Sequence, residues 1–299
     1  MKRIKLIVKL VLSIVLNVFF HLYVRVLPKI EKNERKYYLT VCAIFKNEAR
    51  FFKEWIEYHK LIGVEHFFLY NNFSDDNYEE ILRPYIELGW VTLIDWPLKQ
   101  GQVDAYSNCF TQYASSCKWM AFIDLDEYLV PIEDETICDF LKGFEMFPSV
   151  HLYWKMFGTS GFLESNNSEL VTEKYTSCWP INHDTKSIVN TDFHIDNFRE
   201  IHTYKCKVNK MVIPGVDENK RFISFNLYNN RGYKKAQINH YWSKSFNEYL
   251  MKHGRGDAFF ESSPRDLDYF YYHETKNTEK NYVIQRFLIK LKMALNNGR

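Results

Sequence analysis

Short apolar segments alternate with segments of helical periodicity along the first part of the chain, and this alternation constrains the fold more than any other feature. Runs rich in β-branched and aromatic residues predict buried strands at 38–45, 66–70, 91–94 and 119–123. Apolar residues at helical spacing predict helices at 46–62, 78–88 and 103–115. Strands that alternate with helices of this length form βαβ units. The sequence therefore predicts an α/β fold in which helices flank a mostly parallel central sheet.

The composition narrows the class of protein further. The 299 residues are 46% apolar and 25% charged, which excludes a disordered chain and a polytopic membrane protein. A formal net charge of +2 gives no support for nucleic-acid binding, and we expect no nucleic-acid partner. The six cysteines are dispersed and contain no CxxC pair, so we expect reduced thiols and a cytosolic main domain.

Residues 1–30 form a hydrophobic, basic segment. They hold six Lys or Arg residues and no acidic residue. The uncharged stretch of about 15 residues within them is shorter than the ~20 needed to cross a bilayer, and no small-residue cleavage site follows it. Three interpretations stay open: a helix in the membrane interface, which we favour, a marginal single span, and a helix docked on the domain. Basic flanks favour anionic lipid, so we expect a peripheral or single-pass protein on the cytoplasmic face of the cell membrane.

Charge is also segregated along the rest of the chain. Residues 276–299 hold six basic residues and one acidic residue, and they predict a basic C-terminal helix that caps the domain or contacts lipid. The residues between the two ends, 31–275, carry 27 basic and 36 acidic residues, a net charge of −9. Basic ends suit an anionic membrane surface, and an acidic centre suits a bound divalent cation. We expect the main domain at 37–275.

The clearest chemical signal follows the fourth predicted strand. Asp124, Asp126 and Glu127 lie within four positions of one another at its end. In extended geometry the side chains of Asp124 and Asp126 point to the same side of the strand. Two negative charges at so short a distance destabilise the folded protein unless a cation binds between them. Mg²⁺ and Mn²⁺ take such oxygen ligands and bridge carboxylates to substrate phosphates. Ligands of parallel sheets bind at the carboxyl ends of the strands. The pattern predicts a site for a metal and a diphosphate.

An ordered set of motifs then resembles glycosyltransferase family 92 and related family-2-like glycosyltransferases. The motifs cover roughly 37–256, and they are Phe45-Lys46-Asn47-Glu48, Glu54-Trp55-Ile56-Glu57-Tyr58-His59, Gly63-Val64, Leu69-Tyr70-Asn71-Asn72, Phe122-Ile123-Asp124-Leu125-Asp126-Glu127-Tyr128, Trp154-Lys155-Met156-Phe157-Gly158 with Ser160-Gly161, Lys186-Ser187-Ile188-Val189, Ile201-His202 and His240-Tyr241-Trp242-Ser243-Lys244-Ser245. The resemblance implies a Rossmann-like GT-A fold over 37–275. It also implies a nucleotide-sugar donor, for which we favour a UDP-sugar, a divalent metal, Mn²⁺ or Mg²⁺, and inversion at the anomeric carbon.

The resemblance also assigns roles to single residues. The metal ligands it implies are Asp124, Asp126 and His240. The donor-binding residues are Asn47, Glu48, Asn71, Asp124, Lys186, Lys244 and Arg255. Trp154, Phe157 and Gly158 would contact the acceptor, although a packed aromatic beside a tight turn is the plainer interpretation of Phe157 and Gly158. The catalytic residues are Asp126, Glu127 and His202.

An inverting transfer needs a general base, and the sequence leaves its identity open. The candidates are Glu127, Glu164, Asp192, Asp196 and His202. Two segments depart from the family pattern, 166–176 and 192–196, and the second of these leaves the choice of base undecided.

The expected function is therefore a metal-dependent inverting glycosyltransferase. It would move a sugar from a nucleotide-sugar to a glycan or lipid-linked acceptor in cell-surface polysaccharide synthesis. One alternative is a catalytically inactive sugar-nucleotide-binding or scaffold protein of a glycan-assembly complex. Another is a metal-dependent phosphohydrolase, which we disfavour because no second carboxylate and histidine cluster is visible in the sequence.

Overall fold

The computed structural model describes residues 2–29, 34–166, 168–193, 195–197, 202, 205–208, 211–222, 233–254 and 266–297. The helices are α1 (Lys2–Arg25), α2 (Phe52–Leu61), α3 (Tyr78–Glu87), α4 (Gln102–Tyr113), α5 (Ile137–Lys142), α6 (Val171–Lys174), α7 (Phe246–Gly254), α8 (Leu267–Glu274) and α9 (Leu288–Asn297). The strands are β1 (Tyr37–Phe45), β2 (His66–Asn71), β3 (Val91–Asp95), β4 (Cys117–Phe122), β5 (Glu127–Pro131), β6 (Ser149–Met156), β7 (Ser177–Cys178), β8 (Thr185–Asn190), β9 (Ile195–Asn197), β10 (Lys205–Val208), β11 (Met211–Ile213), β12 (Ala236–His240) and β13 (Glu279–Lys280). The four strands and three helices predicted for the first part of the chain are all present.

An eight-stranded sheet organises the domain, in the order β3-β2-β1-β4-β8-β6-β12-β5. The first four of these strands are parallel, and so are β6 and β12. β8 lies antiparallel between β4 and β6, and β5 is antiparallel to β12. Four of the seven neighbouring pairs are thus parallel, as the βαβ pattern requires for the first half of the chain. Two small sheets, β11-β10-β9 and β13-β7, complete the described strands.

Helices cover both faces of this sheet, and β1 shows why. Its alternate side chains point to opposite faces. Val41 and Ala43 join the large core that also holds Trp55 of α2. Cys42 and Ile44 join a second core together with Tyr106 of α4. A strand buried on both faces is apolar at most positions, which is the pattern that predicted β1.

Both ends of the chain pack on this domain. Phe20 and Val24 of α1 are buried in the large core. At the other end, Ile284, Phe287 and Leu291 are buried, and α9 packs against α2. The C-terminal segment therefore packs on the domain, one of its two expected roles, but its helix is shorter than predicted: residues 279–280 form β13, and α9 begins at Leu288. No helix in the part of the chain that the structure describes is long and apolar enough to cross a bilayer.

All six cysteines are free thiols in the structure. Five of them are buried, and Cys138 is half-buried. They act as small apolar side chains in the packing of the sheet and its helices.

Candidate active site

A tight acidic turn follows β4 at the carboxyl end of the parallel strands. The amide of Asp124 donates to Glu127 Oε2 at 2.9 Å, and the amide of Glu127 donates to the carbonyl of Asp124 at 3.0 Å. These reciprocal bonds fold residues 124–127 into a turn that leads directly into β5. The turn lies at the edge of the sheet where the sequence placed it.

Asp124 is held from two sides. Its Oδ1 accepts hydrogen bonds from Gln102 Nε2 at 2.8 Å and from the Tyr106 hydroxyl at 2.9 Å. Its Oδ2 accepts from Lys186 Nζ at 2.9 Å. Burial alone would raise the pKa of Asp124, but the charge of Lys186 outweighs it and the pKa is lowered. Asp124 is therefore an oriented carboxylate, and its side chain is still 29% exposed.

Asp126 faces a different cation and an imidazole. Its Oδ2 is paired with Lys252 of α7, and its Oδ1 lies 3.6 Å from Nε2 of His240. Burial would raise the pKa of Asp126, yet Lys252 and then His240 hold it well below its usual range. Burial lowers the pKa of His240, which favours the neutral imidazole that can ligate a metal.

Lys186 connects Asp124 to Glu127. Its side chain is 1% exposed, and its Nζ lies 3.6 Å from Glu127 Oε2. Burial would lower the pKa of Lys186, but Asp124 and Glu127 raise it, so the ammonium stays charged. Burial raises the pKa of Glu127 well above its usual range. Glu127 is wholly enclosed and engaged with the turn, so its present position suits the support of Asp124.

Trp154 brings two imidazoles to the same edge. Its ring centroid lies 4.3 Å from that of His240 and 5.0 Å from that of His202. Nδ1 of both histidines and Nε1 of Trp154 are buried without a hydrogen-bond partner among the described residues. Burial, followed by the charge of Lys186, lowers the pKa of His202 to about 4. Unpartnered buried nitrogens are uncommon in folded proteins, and here three of them lie together beside the carboxylates.

A cavity of about 710 Å³ adjoins this cluster. Lys252 lines it and so links it to Asp126, while Asn47 and Lys244 also lie in its wall. The Lys244 side chain is buried with its ammonium 4.2 Å from the centroid of the Phe51 ring. Asn47 and Lys244 both have φ of 53°, in the left-handed region that non-glycine residues adopt infrequently. The volume suits a small organic ligand.

The donor set at the turn fits one mode of metal binding. Within the described ranges, no three His, Cys, Asp or Glu side chains are grouped as a metal cage. Mg²⁺, however, is usually bound by one or two carboxylates together with substrate phosphates and water. Asp124 and Asp126 suit that mode, with His240 beside Asp126 as a further donor. The assignment of a metal to these three residues remains a prediction.

Several predicted residues do line the site, and others do not. Glu48 and Glu164 lie in the wall of the cavity, the latter bonded to Asn247 at 3.0 Å. Asn71 is buried, and its side chain is hydrogen-bonded to Tyr78, to Asp95 and to the amide of Ser74. It holds the end of β2 and has no side-chain group directed to a nucleotide.

Two of the predicted acceptor-binding residues are structural. Phe157 is fully buried against Tyr241, with ring centroids 4.7 Å apart, so it cannot stack on a sugar from this position. A Cβ at Gly158 would overlap the side chains of Asn277 and Glu274. Glycine there lets the turn after α8 approach the end of β6, which confirms the plainer interpretation of both residues.

One candidate base lies at the wrong end of the sheet, and two predicted residues fall outside the description. Asp192 is paired with Arg35 and Lys118, at the start of β4. Arg255 and the side chain of Asp196 lie outside the described residues.

The structure adds three site residues that the sequence reasoning missed. Gln102 and Tyr106 occupy the first turn and a half of α4, four residues apart, and so share the helix face that meets Asp124. Lys252 lies in the last turn of α7. For Gln102 and Tyr106, the sequence signal was a polar pair at helical spacing on the helix that follows β3. No sequence pattern indicated Lys252.

Several known proteins are similar in sequence to this chain. A sequence profile of glycosyltransferase family 92 matches residues 35–268. A family 92 protein of Oryza sativa subsp. japonica is 34% identical over 172 residues, which cover 56% of this chain and 29% of that protein. The β-1,4-galactosyltransferase galt-1 of Caenorhabditis elegans is 26% identical over 255 residues, 78% of this chain and 55% of that protein. Among solved structures, Staphylococcus aureus TarS 1-349 aligns over 53% of this chain and 50% of its own with 14% identity and a TM-score of 0.36.

The profile match covers the sheet, the acidic turn and the cavity in one block, and it places the protein in the class of glycosyltransferases. The chain belongs to glycosyltransferase family 92. It spans about a third of the length of the rice relative and about half that of the nematode relative.

Proposed function

We propose that this protein is a metal-dependent, inverting glycosyltransferase of the GT-A type that uses a nucleotide-sugar donor. The observation that carries the proposal is the turn after β4, where Asp124 and Asp126 are each oriented by a lysine beside a cavity of about 710 Å³. A pair of ionised carboxylates next to cations and a cavity can hold a diphosphate through a divalent ion. A UDP-sugar is the donor class we favour.

The cations around the turn would offset the charge of the departing diphosphate. Lys186 and Lys252 contact the two carboxylates directly, and Lys244 lies in the wall of the cavity. Fixed cations stabilise negative charge as it develops, without the cost of reorganising solvent. Arg255 stays in this proposal as a predicted fourth cation. Asn47 and Glu48 would meet the nucleotide in the wall of the same cavity.

In the transfer, the acceptor oxygen forms a bond to the anomeric carbon while the bond from that carbon to the diphosphate breaks. The acceptor proton passes to a base on the protein. We favour His202, which is neutral and lies against Trp154, over Glu127, which is enclosed within the turn. Mn²⁺ or Mg²⁺ at Asp124, Asp126 and His240 would supply Lewis-acid stabilisation of the leaving group. Trp154 offers its ring to the acceptor sugar.

The names of relatives suggest which donor to test first. The nematode relative is called a β-1,4-galactosyltransferase, so UDP-galactose heads the donor series. We further propose that the acceptor is a glycan or a lipid-linked glycan of cell-surface polysaccharide synthesis. The basic, apolar N-terminal segment supports placement at the cytoplasmic face of the cell membrane.

The test is the release of nucleoside diphosphate by the purified full chain from a series of nucleotide-sugars, with and without Mn²⁺. We expect UDP release that needs the metal and is lost in Asp126→Asn. Asp192→Asn is the matched control, because it removes a carboxylate from the opposite end of β4. Donor binding without turnover would instead support the scaffold alternative. Release of inorganic phosphate would support the phosphohydrolase.

A further inference from the structure

Helix α1 has two faces, and one of them contacts the domain. Phe20 packs against Phe222, with ring centroids 4.1 Å apart, and His21 Nε2 is 2.8 Å from the carbonyl of Lys220. Asn17 Oδ1 accepts a hydrogen bond from the amide of Phe222. Asn17, Phe20 and Val24 recur at helical spacing, so one stripe of the helix is fixed along the domain.

The other face of α1 is apolar and exposed. Among the side chains of the helix and of the residue after it that the structure describes, eleven large apolar ones lie open to solvent: Ile7, Val8, Leu10, Val11, Leu12, Ile14, Val15, Val18, Phe19, Leu22 and Val26. Monomeric soluble proteins seldom expose a contiguous apolar patch beyond roughly 300–600 Å². Residues 1–30 carry six basic residues and no acid, and Arg25 and Lys29 of these are exposed in the structure. An apolar face with basic flanks complements an anionic lipid surface.

The fixed stripe lies near the end of the sheet that is opposite the acidic turn. His21 contacts Phe147, whose carbonyl accepts a hydrogen bond from Asn190, the last residue of β8. Asn190 pairs with Trp119 near the start of β4. Asp124 follows the other end of β4, about 15–20 Å away at the rise of a strand.

We propose that α1 lies along an anionic bilayer through its exposed face, and that its fixed stripe holds the domain with the candidate active site directed away from the lipid. This inference builds on the proposed membrane location and on the site at Asp124 and Asp126. This orientation also indicates which acceptors the site can reach. The site would act on the far end of an extended glycan, because the first sugars of a lipid-linked acceptor lie within the headgroup region that the site does not face.

The experiment uses the full chain and vesicles, with no sugar substrate. Val26→Cys and Met251→Cys are labelled with a fluorophore that is quenched on contact with spin-labelled lipid headgroups, and the unsubstituted protein is the labelling blank. The two side chains are matched, being 76% and 74% exposed, and Met251 lies in the wall of the cavity beside the site. Vesicles contain phosphatidylcholine with or without about 30% phosphatidylserine. We expect strong quenching at position 26, little at position 251, and binding that requires the anionic lipid.

Quenching at both positions, or only at position 251, would overturn the orientation while leaving membrane binding intact. An absence of vesicle binding would overturn the proposal as a whole. Phe19→Asp should abolish flotation with vesicles, whereas Leu88→Asp, at an exposed leucine elsewhere, should not. A wild-type dimer in solution that Phe19→Asp converts to a monomer would assign the face to a second copy of the chain. UDP release is measured separately, so failure here does not decide the proposed reaction.

Discussion

The two ends of β4 combine acidic and basic side chains in opposite proportions. At its carboxyl end, three carboxylates, Asp124, Asp126 and Glu127, are contacted by two lysines. At its amino end, the carboxylate of Asp192 is contacted by two cations, Arg35 and Lys118. The contacts at the carboxyl end therefore include more carboxyl groups than lysines, and those at the amino end include more cations than carboxylates.

This difference indicates what each end is for. A carboxylate between two cations joins three segments of the chain, and its removal leaves unpaired charges that lower the stability of the fold. At the carboxyl end, burial raises the pKa of Glu127, so the negative charge lies on Asp124 and Asp126, which repel each other and which a further cation would stabilise. Substitutions at the two ends should therefore separate activity from stability.

The largest effect should follow Asp126→Asn. The substitution keeps the size of the side chain but removes the charge that Lys252 and His240 face. We expect kcat/KM for UDP release to fall about 10³-fold, or ~4 kcal/mol of transition-state stabilisation. Steady-state kinetics at saturating Mn²⁺ measure this. Activity near that of the wild type would remove the acidic turn from the reaction.

Asp192→Asn should give the reverse pattern. It leaves Arg35 and Lys118 close together without the carboxylate between them. Unpairing buried charges costs about 3 kcal/mol, so we expect a lower midpoint of urea unfolding and unchanged kcat/KM below that midpoint. If activity falls with no loss of stability, Asp192 belongs to the reaction and the contrast between the two ends is wrong.

The sequence predicted the fold more fully than the site. Strands such as β1 were predictable because burial on both faces makes them mostly apolar, and helix periodicity predicted α2 to α4. The position of antiparallel β8 between β4 and β6 was not predictable, because hydrophobic patterning carries no information about the order of strands in a sheet.

Within the site, residues close in sequence were predictable and distant ones were not. Asp124 and Asp126 lie in one turn, so their spacing was sufficient. Lys252 reaches Asp126 only because α7 packs beside the turn, and no local pattern records that packing. Phe157 was misassigned as an acceptor contact because an aromatic residue of the core and one that stacks on sugar look alike in sequence.

His59 extends the comparison to the support behind the acidic turn. Its Nδ1 donates to the carbonyl of Trp55, and its Nε2 accepts from the amide of Leu129 in β5. Burial lowers the pKa of His59 to about 3. Between that value and an unfolded pKa of about 6.5 the unfolded chain binds one more proton, so stability falls as the pH is lowered, by about 1.4 kcal/mol per pH unit.

His59→Gln should flatten this dependence, since an amide keeps a donor and an acceptor but does not titrate. Urea unfolding at about pH 7 and about pH 5 should show a loss of stability that is smaller by about 2 kcal/mol in the variant. The remaining loss would come from other buried imidazoles such as His151. An equal slope in both proteins would show that His59 is not neutral in the folded state.

The smallest predicted effect is a difference in kcat/KM between Tyr→Phe variants of two tyrosines in the same core, Tyr106 and Tyr70. The Tyr106 hydroxyl donates to Asp124, whereas the Tyr70 hydroxyl donates to Asn108, also in α4 but away from the turn. Each Tyr→Phe substitution removes one hydroxyl of similar burial, so each should cost about 1 kcal/mol of stability. Only Tyr106→Phe should also lower kcat/KM, by about 5-fold, because Asp124 would then be oriented by Gln102 and Lys186 alone. Kinetics and unfolding measured on both variants give the comparison, and equal kinetics would show that the position of Asp124 does not depend on the hydroxyl from α4.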